Sequence, residues 1–424
     1  MNIYLDMIGC RLNQSEIEIM ARQFAAAGHT LVADPAEADL AVVNTCTVTG
    51  AAAADSRKTI RRIARSGVEK IITTGCWSSM YPGQALELPG VTQVVSNLEK
   101  GNLVSDLFSL DLEIFDKEPI ERVPIPGSRL RTRAFIKVQD GCRHNCTFCV
   151  TTIARGESRS ELADIVIRDI KAAHDGGVKE AVLTGVQLGS WGMDFESASS
   201  LTSLVEKILK ETDIPRLRLS SIEPWDVNQD LIMLLQEDRI ARHLHLPLQS
   251  GSASVMRRMA RAITPTSYAK LIDQIRELIP GIAITTDIMS GFPGETDQEF
   301  QESLGFIQEM GFADGHVFTY SAREGTPAHD YPDQVHNALR KERSAQVREI
   351  LAASAEVYRQ KQIGTELIVL WEKVESLSEN TWQASGLTDN YLRVDSEITE
   401  NLWNRFSRIK IRGITPEGVK GDIS

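Results

Sequence analysis

Three times within the first 76 residues a short apolar run ends at a cysteine and gives way to a helical pattern. Residues 2–6 (NIYLD) lead to Gly9-Cys10 and then to the amphipathic stretch SEIEIMARQFAAAG, closed by Gly28. Residues 39–44 (DLAVVN) lead to Cys46 and a helical stretch through TIRRIAR to Gly67, and residues 69–75 (EKIITTG) lead directly to Cys76. Strands separated by helices make βαβ units and therefore a parallel sheet. The spacings of 36 and 30 residues (46 − 10 and 76 − 46) each accommodate one strand, one helix and their loops. Every cysteine then falls just past the C-terminal end of a strand, the edge at which open α/β sheets bind ligands. Three cysteines remote in sequence are thereby predicted to converge. The competing reading is three buried thiols packing as small hydrophobes.

A charged, Pro-rich segment at 111–130 has no clean period and reads as a linker. A second α/β series follows, with strand candidates at 133–138, 180–185, 216–221, 243–248, 281–287 and 315–320. Stretches such as LTSLVEKILKE and TDQEFQESLGFIQEMG supply the helices between them. Six strands spaced by helices predict a partial (β/α)6 TIM-type barrel rather than the closed eightfold one. Helical sequence then leads into about 60 residues where TELIVLWEKV, TWQASGL, YLRV and RIKIRGI read as short strands of a small β-barrel. The expected organisation is a Rossmann-like parallel-sheet domain at 1–125, the barrel at 126–361 and the β-barrel at 362–424. That agrees with about three domains for 424 residues.

Composition narrows the class. With 42% hydrophobic and 25% charged residues, neither disorder nor coiled coil fits. No apolar run approaches the roughly 20 residues that span a bilayer, and MNIYLDMIG lacks the basic-then-apolar order of a signal peptide. A soluble, cytoplasmic protein without membrane contact is expected. All six cysteines lie at or before position 149, leaving none in the last 275 residues (424 − 149). They are too few for a disulfide scaffold and would stay reduced in the cytoplasm.

The later three form Cys142-Arg143-His144-Asn145-Cys146-Thr147-Phe148-Cys149, a C-x3-C-x2-C loop directly after the first barrel strand. Zinc usually takes four ligands from paired C-x2-C knuckles. Three thiolates in one loop instead suit three irons of a cubane, leaving the fourth iron open. A zinc loop completed by His144 or a distant histidine is the alternative.

With aromatic Phe148 before its last cysteine, this loop resembles the radical S-adenosylmethionine signature. In that family the open iron chelates the methionyl group, and reductive cleavage yields a 5′-deoxyadenosyl radical. Around Cys10, Cys46 and Cys76, the settings IGCRLNQSE, VVNTCTVT and TTGC resemble the amino-terminal domain of methylthiotransferases, and the terminal GLTDNYLRV resembles a TRAM domain. TRAFIKVQDGC, LTGVQLGSWG, RLRLSSIEP, HLPLQSGS and FTYSAREGTPA look most like the subfamily acting on N6-threonylcarbamoyladenosine at tRNA position 37.

The resemblance implies two [4Fe–4S] clusters. Cys142, Cys146 and Cys149 would hold the one that cleaves S-adenosylmethionine; Cys10, Cys46 and Cys76 would hold an auxiliary one carrying the sulfur that is methylated and transferred. It also implies the anticodon loop of tRNA as partner, an electron donor such as flavodoxin or ferredoxin, and a sulfur donor. Isopentenyladenosine-37 tRNA and a ribosomal-protein aspartate are the alternative acceptors. A zinc-bound, non-catalytic RNA-binding adaptor is the alternative of a different class.

Cofactor contacts are expected at the C-terminal strand ends. The candidates are Phe148, Gly185, Glu223, and Gly291 with Glu295 in the Gly-Phe-Pro-Gly-Glu run, which reads equally as a tight turn. His245 and Gln249 belong to the fourth strand end. Asn13 and Asn44 would either donate to cluster sulfur or stabilise turns. Arg57, Lys58, Arg61, Arg62 and Arg65 share one helical face, as a solvated surface or an RNA-phosphate stripe. Arg257, Arg258 and Arg261 make a weaker stripe of the same kind. Residues 364–424 hold more acids than bases, so RNA contact there would require Arg393, Arg405, Arg408, Lys410, Arg412 and Lys420 to cluster. Tyr391 and Trp382 are its candidates for base stacking.

Overall fold

Full burial of the strands LAVVNT and IITTG, side chains on both faces included, places them at the middle of a parallel sheet covered by helices. In the computed structural model, which describes residues 1–111, 115, 132–378 and 380–423, that sheet comes first. Its elements are β1 (Asn2–Met7), α1 (Arg11–Ala26), β2 (Thr30–Leu31), β3 (Leu40–Thr45), α2 (Gly50–Arg65), β4 (Ile71–Gly75), α3 (Cys76–Met80), α4 (Pro82–Leu86), β5 (Val91–Val94) and α5 (Leu103–Phe108). All strands are parallel in the order β2-β1-β3-β4-β5. Ile17, Met20 and Phe24 of α1 pack one face with Leu103 and Val104, while Ala53, Ile60 and Ile63 of α2 pack the other. Each large side chain so buried contributes about 1.5–3 kcal/mol. Strand order reverses between β1 and β3, so the crevice of a doubly wound sheet opens where Cys10 and Cys46 leave their strands. The expected linker at 111–130 lies outside the described residues, apart from its positions 111 and 115.

The next series is β6 (Arg133–Lys137), β7 (Gln139–Asp140), α6 (Thr151–Arg155), β8 (Arg159–Ser160), α7 (Ala163–Asp175), β9 (Glu180–Thr184), α8 (Leu201–Glu211), β10 (Arg216–Leu219), α9 (Gln229–Leu234), β11 (His243–His245), α10 (Ala253–Arg258), α11 (Pro265–Leu278), β12 (Ala283–Ser290), α12 (Asp297–Met310), β13 (Asp314–Thr319) and α13 (Asn337–Gln360). Two parallel three-stranded sheets, β6-β9-β10 and β11-β12-β13, join through bridges at Leu217–Ile240 and Ser221–His245. The six-stranded partial barrel read from the sequence is the one observed. Its edges are covered, β6 by α1 and β13 by α13, which removes the hazard of exposed edge strands. Capping boxes at Thr264/Ser267 and Thr296/Glu299 start α11 and α12.

The chain ends in β14 (Glu366–Ser378), β15 (Thr381–Thr388), β16 (Arg393–Ile398), β17 (Phe406–Ile414) and β18 (Val419–Ile423), a closed barrel in the order β14-β15-β16-β18-β17. The sequence suggests four short strands here. The structure has five, and β14 is 13 residues long. β18 is missed because Val419 alone of its five residues is buried, so the segment carries no alternating apolar signal.

Candidate active site

Three of the five strands of the first sheet, β1, β3 and β4, each lead to a cysteine. Gly9 has φ +114°, and a Cβ built on it would stand 2.6 Å from Cys46 Cβ and 2.8 Å from Cys46 Sγ. The loops after β1 and β3 are therefore in contact across the switch point. Cys46 is buried, and burial, reinforced by Cys10 and Cys76 nearby, pushes its thiol up to about 11. The Cys10 and Cys46 loops thus approach one another, and Cys76 lies near enough to act on the Cys46 thiol. Asn13 and Asn44 brace these turns: Asn13 Nδ2 donates to the carbonyls of Ile8 (2.7 Å) and Thr45 (3.1 Å), and Asn44 Nδ2 to Asn13 O (3.1 Å) and Glu16 (3.0 Å).

The second triad sits in a loop pinched at its base by the β7–β8 ladder, Gln139–Ser160 and Asp140–Arg159. Within it the His144 amide donates to Cys142 Sγ and the Thr151 amide to Cys149 Sγ, both at 3.4 Å. Arg261 Nη1 lies 3.8 Å from Cys146 Sγ. Burial pushes the Cys142 thiol up to about 11. Thiols held neutral this way ionise when metal binds, releasing protons. Among the described residues no three His, Cys, Asp or Glu side chains stand close enough to share one metal ion. His144 Nε2 already accepts from the Trp225 indole N–H (3.0 Å) and lies 2.7 Å from Gln187 Nε2. The donor set fits a cluster at both triads.

The remaining cofactor candidates divide. Glu223 faces the second triad, paired with Arg261 (2.6 Å), whose guanidinium lies 4.5 Å from the Trp225 ring centre. Phe148 is half-buried against Val255, Met259, Phe292 and Tyr320. Gly185 abuts Gln139, whose Oε1 would lie 2.9 Å from an added Cβ. Glu295 is buried and turned inward, bonding Arg343 (2.7 Å) and the Gly291 amide (2.8 Å). A Cβ on Gly291 would meet Arg340 Cγ at 2.1 Å. For Gly291–Glu295 the geometry is that of a self-contained turn packed on α13. His245 is engaged by Thr285 (2.9 Å) and Asp287 (3.3 Å).

Sequence reasoning missed Arg155, which links the first triad to the barrel. It ends α6, six residues after Cys149, and is 2% exposed. Its Nε donates to Cys76 Sγ at 3.2 Å, its Nη1 to Glu16 (2.9 Å) and Asp140 (2.8 Å), and its Nη2 to Asn13 (2.7 Å). Lys100 completes the group at 2.6 Å from Glu16, and burial pulls its pKa down to about 8. Burial opposes ionisation of Glu16, yet Arg155, Lys100 and Lys137 together hold its carboxyl below the ordinary range. Such a network fixes one docking of the sheet on the barrel, since losing any member strands a buried charge.

The basic stripes are less uniform than their spacing suggests. Arg62 pairs with Asp6 (2.6 Å) and Arg57 lies 5.7 Å from the Trp77 ring centre, while Lys58, Arg61 and Arg65 are exposed. Arg258 makes two 2.8 Å bonds to Glu299, and Arg261 is buried, so the 257–261 stripe is not a free surface. On the terminal barrel Arg408, Lys410 and Arg412 alternate along the exposed face of β17, with Arg412 paired to Asp422 (2.8 Å). Arg393 and Arg405 face their own acids, Asp395 and Glu400, each at 3.9 Å. Tyr391 is stacked on His243 at 4.1 Å inside the barrel contact, which removes it as a base-stacking platform. Trp382 packs against the terminal core.

Residues 2–96 match the model of the uncharacterized protein family UPF0004, and residues 136–307 match that of the radical SAM superfamily. The chain is 34% identical to the threonylcarbamoyladenosine tRNA methylthiotransferase MtaB of Bacillus subtilis, over 95% of this chain and 92% of that protein. Against the Thermotoga maritima protein of the same name the identity is 35%, over 98% and 96%. A tRNA-2-methylthio-N(6)-dimethylallyladenosine synthase of Ehrlichia canis is 28% identical over 96% of both chains. Among solved structures, the radical S-adenosylmethionine methyltransferase TsrM of Kitasatospora setae shares the fold with a TM-score of 0.60 and 15% identity, covering 77% of this chain and 75% of that one.

Proposed function

The chain belongs to the radical S-adenosylmethionine methylthiotransferase family, and from that premise we propose that it adds a methylthio group to C2 of N6-threonylcarbamoyladenosine at position 37 of tRNA. The observation that carries the acceptor is identity: 34% and 35% to proteins named for that nucleoside, against 28% to a dimethylallyladenosine synthase. Two [4Fe–4S] clusters and S-adenosylmethionine, when bound, supply the radical and sulfur-transfer chemistry that an unactivated aromatic C–H demands.

In this reading Cys10, Cys46 and Cys76 hold the auxiliary cluster, and Cys142, Cys146 and Cys149 hold the one that binds S-adenosylmethionine. Arg155 sets the separation between them, because one guanidinium touches a ligand of the first and grows from the loop of the second. Trp225, His144, Gln187 and the Arg261–Glu223 pair wall the second triad and limit water there. Position 37 lies in an unpaired loop, so presenting its base costs stacking but no pairing. We place the protein in the cytoplasm beside its tRNA, with a reduced flavodoxin or ferredoxin as electron donor and a separate sulfur donor. No described helix is long and apolar enough to cross a membrane.

Nucleoside mass spectrometry of tRNA from a strain lacking the protein tests the reading. Threonylcarbamoyladenosine without its methylthio group is the expected product, restored on complementation. An unchanged methylthio-threonylcarbamoyladenosine peak, with a deficit in methylthio-isopentenyladenosine, would sink it.

A further inference from the structure

Near the first triad lies a cation, Arg323, two of whose nitrogens meet no acceptor among the described residues. Arg323 follows β13, in the Ser321-Ala322-Arg323-Glu324-Gly325 turn. Its backbone carbonyl is used by Thr326, whose amide (3.1 Å) and hydroxyl (2.7 Å) both donate to it. The side chain is not: Nε and Nη2 are shielded from solvent and meet no acceptor among the described residues. The groups acting on its charge are Tyr81, Cys46 and Tyr320, none of them a carboxylate, and burial pulls the guanidinium below its ordinary value. Elsewhere this chain answers buried guanidinium groups with acids, as Arg155, Arg218, Arg261 and Arg343 show. Arg323 is half-buried, so its two shielded nitrogens carry part of that cost until an anion meets them.

Its surroundings say what kind of group that is. A Cβ on Gly50 would lie 3.9 Å from Arg323 Nη2, so the guanidinium stands over the first turn of the 16-residue α2. The positive end of a helix dipole beside a positive side chain is unfavourable without an anion between them. Two exposed apolar side chains belong to the neighbouring loops: Val48, in the Cys46–Gly50 loop, is 58% exposed, and Ile153, beside Gly325, is 51% exposed. An oxyanion carried on a flat, partly apolar body satisfies both features.

Resting on the function proposed above, we infer that Arg323 is an oxyanion-binding residue of the substrate opening, taking a carboxylate or phosphate of the nucleotide presented at the Cys10/Cys46/Cys76 triad. The threonyl carboxylate and the neighbouring backbone phosphate share that chemistry. The test is anisotropy binding of the anaerobic holoenzyme to three anticodon stem–loops: threonylcarbamoyladenosine at position 37, its methyl ester, and unmodified adenosine. Arg323→Gln, checked for wild-type iron content and dichroism, weakens binding roughly 10- to 100-fold, the range of a charge-assisted hydrogen bond.

If the carboxylate is the ligand, the wild type prefers the acid over ester and adenosine, and the variant levels all three. If it is the phosphate, all three weaken alike and the salt slope falls by about one. Wild-type binding of all three by Arg323→Gln would overturn the inference, leaving Arg323 at most a neighbour of the cluster. Should Gln not fold, Arg323→Lys takes its place. Several-fold weaker binding is then expected from loss of the planar fork, and unchanged binding counts against the site. A wild type that neither binds nor methylthiolates the threonylcarbamoyladenosine stem–loop would retire the functional reading itself.

Discussion

Asp226 shows how a single half-buried carboxyl reports the condition of the second triad. It follows β10 in the Pro224–Asp226 turn, accepts from Gln187 at 3.3 Å, and reaches His144 and Cys142 through that glutamine. Burial, with help from Glu223, pushes its carboxyl up to about 6. Below the ordinary carboxylate value near 4, folded and unfolded chains both carry the proton and nothing is lost. Between about 4 and 6 the unfolded chain ionises while the folded one resists, so stability falls as pH rises, and the full cost is present above pH 6. Discounted for partial solvent access, that cost is about 1–2 kcal/mol. Asp226→Asn keeps an acceptor for Gln187 without the charge. We expect it to raise the unfolding free energy by about that amount at pH 7.5, with the gap to wild type closing toward pH 4. Denaturant titration at the two pH values reads this, and a gap equal at both would show that Asp226 ionises freely.

Among the elements, the turns that present the cysteines are the most constrained. Gly75 joins β4 to α3 with φ 91° and ψ −178°, a region open essentially to glycine, and its Cβ would stand 2.3 Å from Thr45 O, the residue before Cys46. Gly75→Ala should therefore disturb Cys46 and Cys76 together, at about 1–3 kcal/mol of strain. Iron is expected to drop from about eight to about four per chain, the second triad keeping its share. Eight irons in the variant would mean that the turn tolerates a side chain. These turns were legible because an apolar run ending at a cysteine is a local pattern, as were the six barrel strands and helices such as α8. What escaped the sequence had no local pattern. β7 and β8 are two residues each and exist through their pairing. Arg155 carries no signal of its own in the sequence, since its partners Glu16 and Asp140 lie 139 and 15 residues away. Arg261 looked like a surface stripe until its carboxylate partner was in view.

Across the whole molecule, the three units meet at one phenol. Tyr391 has φ +65° in the β15–β16 turn and stacks on His243 of β11 at 4.1 Å and 10°. Arg218 of β10 covers its ring at 5.2 Å, and Arg11, next to Cys10, donates to its hydroxyl. The terminal barrel is further held by Arg216 and Arg218, which donate to the carbonyls of Ile368 (2.9 Å), Leu387 (3.2 Å), Thr388 (3.0 Å) and Asp389 (3.1 Å). This docking explains why the GLTDNYLRV segment need not be basic: its tyrosine anchors the barrel to the core, and with a net charge of −12 the RNA contacts must be local. Stacking and the loss of one hydrogen bond to a charged donor sum to about 2 kcal/mol. Tyr391→Ala should then raise the undocked population roughly 30-fold. Trypsin at exposed Lys361, between α13 and β14, reads that population. Faster cleavage is expected for Tyr391→Ala, with Tyr391→Phe intermediate because its ring still stacks but the bond from Arg11 is lost. Equal rates for all three proteins would mean that the arginine–carbonyl bonds alone hold the terminal barrel in place.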